Sequence, residues 1–275
     1  MASTIQQSAE QSIRATWLIG ASSGIGAALI KELDQANSLL FVSARNLAEI
    51  QKTFARYAAR IIPIEMDMVD QVSVMQAQAQ ILKHSPYLDR VIINAGTCEY
   101  IDSYELDLAS IKRVMDTNFF GALQVINASL PLLRKAKAQT EKRTKSAPQL
   151  ALVSSSVSYL ALPRAGAYGA SKAAIRYMME CLKLDLQHEG LDLRVISPGF
   201  VKTPLTDKND FPMPFRISAE EAAKRIVKGL DGKRFDVHFP KRFTLILKAL
   251  SCLPDSWRFA LIGKSSRHQV DKMKM

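Results

Sequence analysis

Residues 16–35 read TWLIGASSGIGAALIKELDQ, and three kinds of structure follow one another inside them. Thr16 to Ala21 is a short, mostly apolar run and reads as a strand. Glycines at 20, 24 and 26 then break it. A helix is expected over 25–36. A strand that passes through a glycine turn into a helix opens a βαβ unit. Such a turn lets backbone approach a ligand closely, and the helix N-terminus offers free N–H groups to a pyrophosphate. The spacing is Gly-x-x-x-Gly-x-Gly, not the more common Gly-x-Gly-x-x-Gly.

The same alternation continues along the chain. LLFVSA (39–44), RIIPIEMD (60–67), RVIINAG (90–96), QLALVSSS (149–156) and LRVISPG (193–199) bring the expected strands to six. Helices are expected over 47–58, 70–84, 106–137 and 168–189. Near-continuous apolar strands separated by helices imply a parallel sheet covered on both faces. The expected fold class is α/β: a single Rossmann-like doubly wound parallel sheet with helices on both faces and a C-terminal helical extension. Ligands of such sheets bind beyond the carboxyl ends of the strands. Residues 203–218 contain three prolines and read as a loop, and Ser218 caps a helix over 218–230. The expected division is a catalytic domain over 1–232 and a basic extension over 233–275.

Composition narrows the function classes. The chain has 275 residues, 48% of them hydrophobic, which suits a packed core. Cys98, Cys181 and Cys252 are odd in number and widely spaced, so neither a disulfide framework nor a zinc site is expected. His84, His188, His238 and His268 match no metal spacing, and no metal is expected. The opening MASTIQQSAEQSIR has no apolar core, and no run is long enough to cross a bilayer. A cytoplasmic protein is the expectation. The net charge is +11, and residues 228–275 hold eleven Lys/Arg against four Asp/Glu. A second basic run spans 134–145 and reads as a helix end and loop. Aromatic residues are not interleaved with the basic runs, so no nucleic-acid partner is expected. FTLILKALSCLP (243–254) has helical spacing and a basic rim. It fits either a helix packed over a substrate cleft or an amphipathic segment resting on an anionic membrane surface, which would give peripheral contact through 235–275.

The strand ends carry the chemistry. After the second strand stands Arg45, where a cofactor with a free ribose 2′-hydroxyl commonly meets an acid. A guanidinium would pair with a 2′-phosphate, which favours NADP(H) over NAD(H). In YGASK (168–172), Tyr168 and Lys172 share one helix face. A free tyrosine is too weak an acid for proton exchange at neutral pH, and a nearby ammonium favours its phenolate. Ser154 to Ser156 end the preceding strand, and Asn118 lies on an earlier helix.

Together these motifs resemble the short-chain dehydrogenase/reductase family over about 14–230. Gly20, Ser22, Ser23, Gly24, Ile25 and Gly26 match its cofactor turn. Asn94, Ala95 and Gly96 match its Asn-Ala-Gly motif. Asp67 and Met68 fall where the family meets the adenine, and Pro198, Gly199, Val201 and Thr203 where it meets the nicotinamide. Asn118, Ser155, Tyr168 and Lys172 match its catalytic tetrad. Ser155 is selected by its spacing from Tyr168, with Ser156 as the fallback. Ile19 departs from the pattern, since the family usually has Thr there. The resemblance implies NADP(H)-dependent hydride transfer between nicotinamide and a carbonyl or secondary alcohol. Tyr168 would be the proton donor, Ser155 the partner of the substrate oxygen, Lys172 the group that lowers Tyr168 and holds the ribose, and Asn118 the holder of a water. It also implies a homodimer or homotetramer. A lipid-like carbonyl compound and a 3-oxoacyl thioester stay open as substrates. A non-catalytic NADP-binding sensor or scaffold is the alternative of another class.

Overall fold

The computed structural model describes residues 14–33, 38–54, 60–101, 106–143, 146–207 and 209–263. The elements alternate as the glycine turn suggests. They run β1 (Arg14–Ile19), α1 (Gly24–Leu33), β2 (Ser38–Ala44), α2 (Leu47–Phe54), β3 (Ile61–Glu65), α3 (Gln71–Leu82), β4 (Arg90–Ile93) and α4 (Leu108–Met115). Then come α5 (Ala122–Arg143), β5 (Gln149–Val153), α6 (Gly166–Asp185), β6 (Asp192–Pro198), α7 (Ala219–Leu230), β7 (Asp236–Phe239), α8 (Lys241–Ser251) and α9 (Asp255–Gly263). The ends of the expected helices 25–36 and 47–58, and the last two residues of the 134–145 run, lie outside the described residues.

All seven strands are parallel, in the order β3-β2-β1-β4-β5-β6-β7. The order reverses between β1 and β4, which opens a crevice at their carboxyl ends. Burial on both faces explains the unbroken apolar strands. Trp17 and Ile19 enter the core shared with α3, α5 and α6, while Leu18 enters the core shared with α1 and α7. Each such aliphatic side chain contributes roughly 2 kcal/mol by leaving water. The Trp17 indole donates to Ser43 Oγ at 2.9 Å, so its polar end is satisfied inside.

Two findings differ from the sequence reading. The expected helix 106–137 is two helices, α4 and α5, joined by a π turn over Asp116–Gly121. The sheet also has a seventh strand. Asp236–Phe239 pairs with Val195–Pro198, so residues assigned to the extension complete the sheet. The division expected at 232 falls between α7 and β7, inside one layered unit. Beyond β7, α8 turns Phe243 and Leu247 inward onto Leu160, and α9 adds Ile262 to that cluster. Ser218 caps α7 as expected, accepting from Glu221 N at 3.1 Å.

Candidate active site

The crevice is a cleft of about 640 Å³. Gly20, Ser22, Ser23, Gly24, Ile25, Arg45, Asp67, Met68, Asn94, Ala95 and Gly96 line it. So do Ser155, Tyr168, Lys172, Pro198, Gly199, Val201 and Thr203. Of the expected site residues, Gly26 and Asn118 stand behind this wall and shape it.

The glycine turn is tight because three of its positions exclude a side chain. Gly20 has φ +81°, and a Cβ there would lie 2.5 Å from the Ala95 backbone. A Cβ on Gly26 would lie 1.9 Å from the Gly20 carbonyl oxygen. That oxygen is instead held by the Asn94 carboxamide, which donates at 2.8 Å. Gly20 N donates to the Ser43 carbonyl at 2.8 Å, tying the turn to β2. Ile19, the departure from the family pattern, is a fully buried core residue, and the turn forms without a hydroxyl there. Opposite the turn, Thr203 approaches Gly24, where a Cβ would meet Thr203 Cγ2 at 3.0 Å.

The three serines have different tasks. Ser154 Oγ donates to the Lys172 carbonyl at 2.9 Å and is buried. Ser156 is also buried and opens a short 3₁₀ turn. Ser155 faces the cleft, and its Oγ accepts from Val157 N at 3.3 Å. Tyr168 sits in the first turn of α6, and Lys172 follows one turn later. Lys172 is 4% exposed, and its Nζ donates to the Val153 carbonyl at 3.0 Å. The same Nζ lies 5.8 Å from the centre of the Tyr168 ring.

One electrostatic expectation is corrected. Lys172 was expected to lower the pKa of Tyr168, and in this structure the shift runs the other way. Burial pushes the Tyr168 hydroxyl up from its ordinary value, against the opposing influence of the Ser155 hydroxyl. Burial also pushes Lys172 down to about 8. Both shifts run toward the neutral form, because a buried charge loses its hydration. Spacing alone gives the shared face and not the depth of the site.

Asn118 lies at the centre of the π turn. Its Nδ2 donates to the Thr97 carbonyl at 2.8 Å and to Ser171 Oγ at 2.9 Å. Its Oδ1 accepts from Thr97 N at 2.8 Å. The π turn widens the helix locally and aims this side chain at the loop after β4. A Cβ on Gly96 would come within 3.1 Å of both Asn118 Oδ1 and Lys172 Nζ, so glycine keeps the lysine tip accessible. Sequence reading missed Thr97, Ser171 and Cys98. Ser171 stands inside the YGASK stretch and was the legible one. Burial pushes the Cys98 thiol up, and Tyr100 hydrogen-bonds it. On the rim, Arg113 pairs with Glu99 at 2.8 Å.

Comparison with known proteins bears on the family and the fold. The family model described as short chain dehydrogenase matches residues 14–212. An uncharacterized oxidoreductase of Myxococcus xanthus is 30% identical over 250 residues, covering 90% of this chain and 95% of that one. A short chain dehydrogenase from Burkholderia cenocepacia, solved with NADP, superposes with a TM-score of 0.77 at 21% identity, covering 91% of this chain and 98% of that one. One from Burkholderia phymatum, solved with NAD, gives 0.76 at 17% identity, covering 87% and 93%. At these identities the two structures speak for the fold.

Proposed function

The chain belongs to the short-chain dehydrogenase family and is an oxidoreductase, and from that premise we propose that it transfers hydride between NADP(H) and a carbonyl compound or its secondary alcohol. The observation that carries this reading is the convergence of Ser155, Tyr168 and Lys172 on a cleft whose other wall is a glycine turn.

The residues present fit a dinucleotide. Gly20 and Gly24 expose bare backbone at the N-terminus of α1, which suits a pyrophosphate. Arg45 is exposed at the end of β2 and would meet a 2′-phosphate. Asp67 and Met68 would hold the adenine, and Pro198, Gly199, Val201 and Thr203 the nicotinamide end. Bound there, the nicotinamide would supply or accept hydride.

The chain's own groups then handle the proton and the oxygen. Burial keeps Tyr168 protonated, so it is prepared to donate to a carbonyl oxygen. Ser155 Oγ, which lines the same cleft, would donate to the same oxygen. Lys172 keeps N–H donors beyond the one given to Val153, and these would reach the ribose. Asn118 acts by positioning, through the loop at Thr97 and the α6 residue Ser171. An apolar, lipid-like substrate is favoured by the aromatic residues near the tyrosine. Tyr100 packs edge-on to Phe211 at 5.4 Å, and Phe200 packs on Phe243 at 5.3 Å. Assembly as a homodimer or homotetramer is supported by Phe120, Tyr177 and Leu184, which stay exposed around α5 and α6.

Tyr168→Phe is the test. Turnover of NADPH should fall about 10³–10⁴-fold while NADPH binding persists. Retained turnover would contradict the assignment. A panel of ketones, aldehydes and acyl thioesters of graded length would separate a lipid-like carbonyl substrate from a 3-oxoacyl thioester.

A further inference from the structure

No helix among the described residues is long and apolar enough to cross a membrane. A different kind of surface is nevertheless built at the C-terminal end. It begins as a groove of about 440 Å³ between α7 and β7. Arg225, Lys228, Lys233, Arg234 and Lys241 all line this groove. Lys241 also opens α8, where Arg242 follows it on the exposed side. The basic groove is therefore continuous with that helix.

α8 is two-faced in an unusual sense. Phe243, Thr244 and Leu247 face the core. The opposite face, one turn beyond Lys241 and Arg242, presents Leu245 and Ile246 to solvent. α9 continues the pattern with Trp257, Phe259 and Leu261. All five of these apolar side chains expose at least half of their surface. Exposed apolar residues beside a cluster of cations suit a partner that is apolar within and anionic at its surface.

We propose that α8, α9 and the adjoining basic groove form a docking surface for an anionic lipid bilayer. Lys228, Lys233, Arg234, Lys241 and Arg242 would meet the headgroups, and Leu245, Ile246, Trp257, Phe259 and Leu261 would enter the interface. Charge argues for lipid over a second copy of the chain. Within residues 228–263 the sequence holds only three carboxylates, Asp231, Asp236 and Asp255. Asp231 is paired with Arg90 at 3.3 Å, Asp236 is taken by Lys248 at 2.7 Å and by Arg176 at 3.3 Å, and Asp255 is paired with Arg258. Two copies meeting through this face would bring like charges together with no free acid between them. The sequence after Gly263 adds Lys264, Arg267, Lys272 and Lys274 against Asp271 alone, which extends the same sign. An aliphatic pair such as Leu245 and Ile246 favours acyl chains over a flat aromatic ligand.

The test uses the full chain and its own two tryptophans. Trp17 is fully buried and Trp257 is 65% exposed, so fluorescence changes report α9. Vesicles of phosphatidylcholine alone are compared with vesicles that also contain phosphatidylglycerol. The anionic vesicles should sediment the protein and shift the Trp257 emission to shorter wavelength, and added salt should reverse both. Glutamine at Lys233, Arg234 and Lys241 together should weaken partitioning about a hundredfold. Leu245→Ser with Ile246→Ser should weaken it about tenfold or more. Both variants should keep the wild-type melting temperature and NADPH binding, which separates this proposal from the catalytic one. Absence of sedimentation with anionic vesicles would overturn it. So would equal partitioning of all variants, or a Trp257 shift that follows protein concentration and ignores vesicles.

Discussion

Two lysines of this chain sit against tyrosine rings, and they are treated in opposite ways. Lys248 Nζ lies 4.6 Å from the Tyr159 ring and is paired with Asp236 at 2.7 Å. Lys172 Nζ lies 5.8 Å from the Tyr168 ring and donates to the Val153 carbonyl at 3.0 Å. Among the described residues, no carboxylate is paired with it. Around Lys248 the charges close on themselves. Asp236 also accepts from the Tyr159 hydroxyl at 2.7 Å and from Ser197 at 2.9 Å. Burial raises that carboxyl, but the Lys248, Tyr159, Arg176 and Ser197 contacts outweigh it and hold it below its usual range. One cluster binds α8 to β6, β7 and α6. The other leaves a buried cation without a counter-charge, which costs stability and leaves the group available for a ligand.

Substitution at each cluster should separate these roles. Lys172→Met should lower NADPH turnover about 10³-fold under the proposed function, yet melt no lower than wild type. A large drop in melting temperature would make Lys172 a structural residue and erase the contrast. Asp236→Asn should do the reverse. It should cost about 3 kcal/mol in denaturant unfolding while the folded fraction keeps its turnover. The sign with pH follows from the depressed carboxyl. Its stabilisation is complete above the ordinary aspartate range and is lost as pH falls through the lowered value, so variant and wild type should converge in acid. Divergence that persists at low pH would mean that packing, not charge, holds α8. Arg45 sharpens the contrast from outside. It is an exposed cation whose partner would arrive with the ligand. Arg45→Glu should weaken NADPH binding about tenfold or more and spare NADH, as read by cofactor fluorescence titration.

How much was legible follows the range of the interaction that fixes each feature. The glycine turn was legible because Gly20, Gly24 and Gly26 answer local steric needs. The strands were legible because burial on both faces writes continuous apolar runs. β7 was not, since DVHF is short and is ordered by its pairing with β6. The π turn was not, since one extra residue in a helix leaves no periodic mark over DTNFFG. Tyr168 and Lys172 were found as a pair by their spacing. Ser155 was chosen over Ser156 by its spacing from Tyr168, whereas the tasks of the neighbouring serines, Ser154 on the Lys172 carbonyl and Ser156 in the 3₁₀ turn, needed the fold. The sense of the Tyr168 shift depended on burial, and burial is a property of the assembled core.

Lys172 is a buried cation that no carboxylate pairs with among the described residues. Its ordinary value is 10.5 and burial brings it to about 8, so folding opposes its proton between those limits. The protonated lysine therefore penalises the folded state below pH 8, by about 3 kcal/mol, and the penalty fades as pH rises toward 10. Urea unfolding of wild type and Lys172→Met across this window tests it directly. Wild type should gain stability relative to the variant as pH rises from 8 to 10. A difference that stays constant, or that shrinks for wild type, would contradict the account.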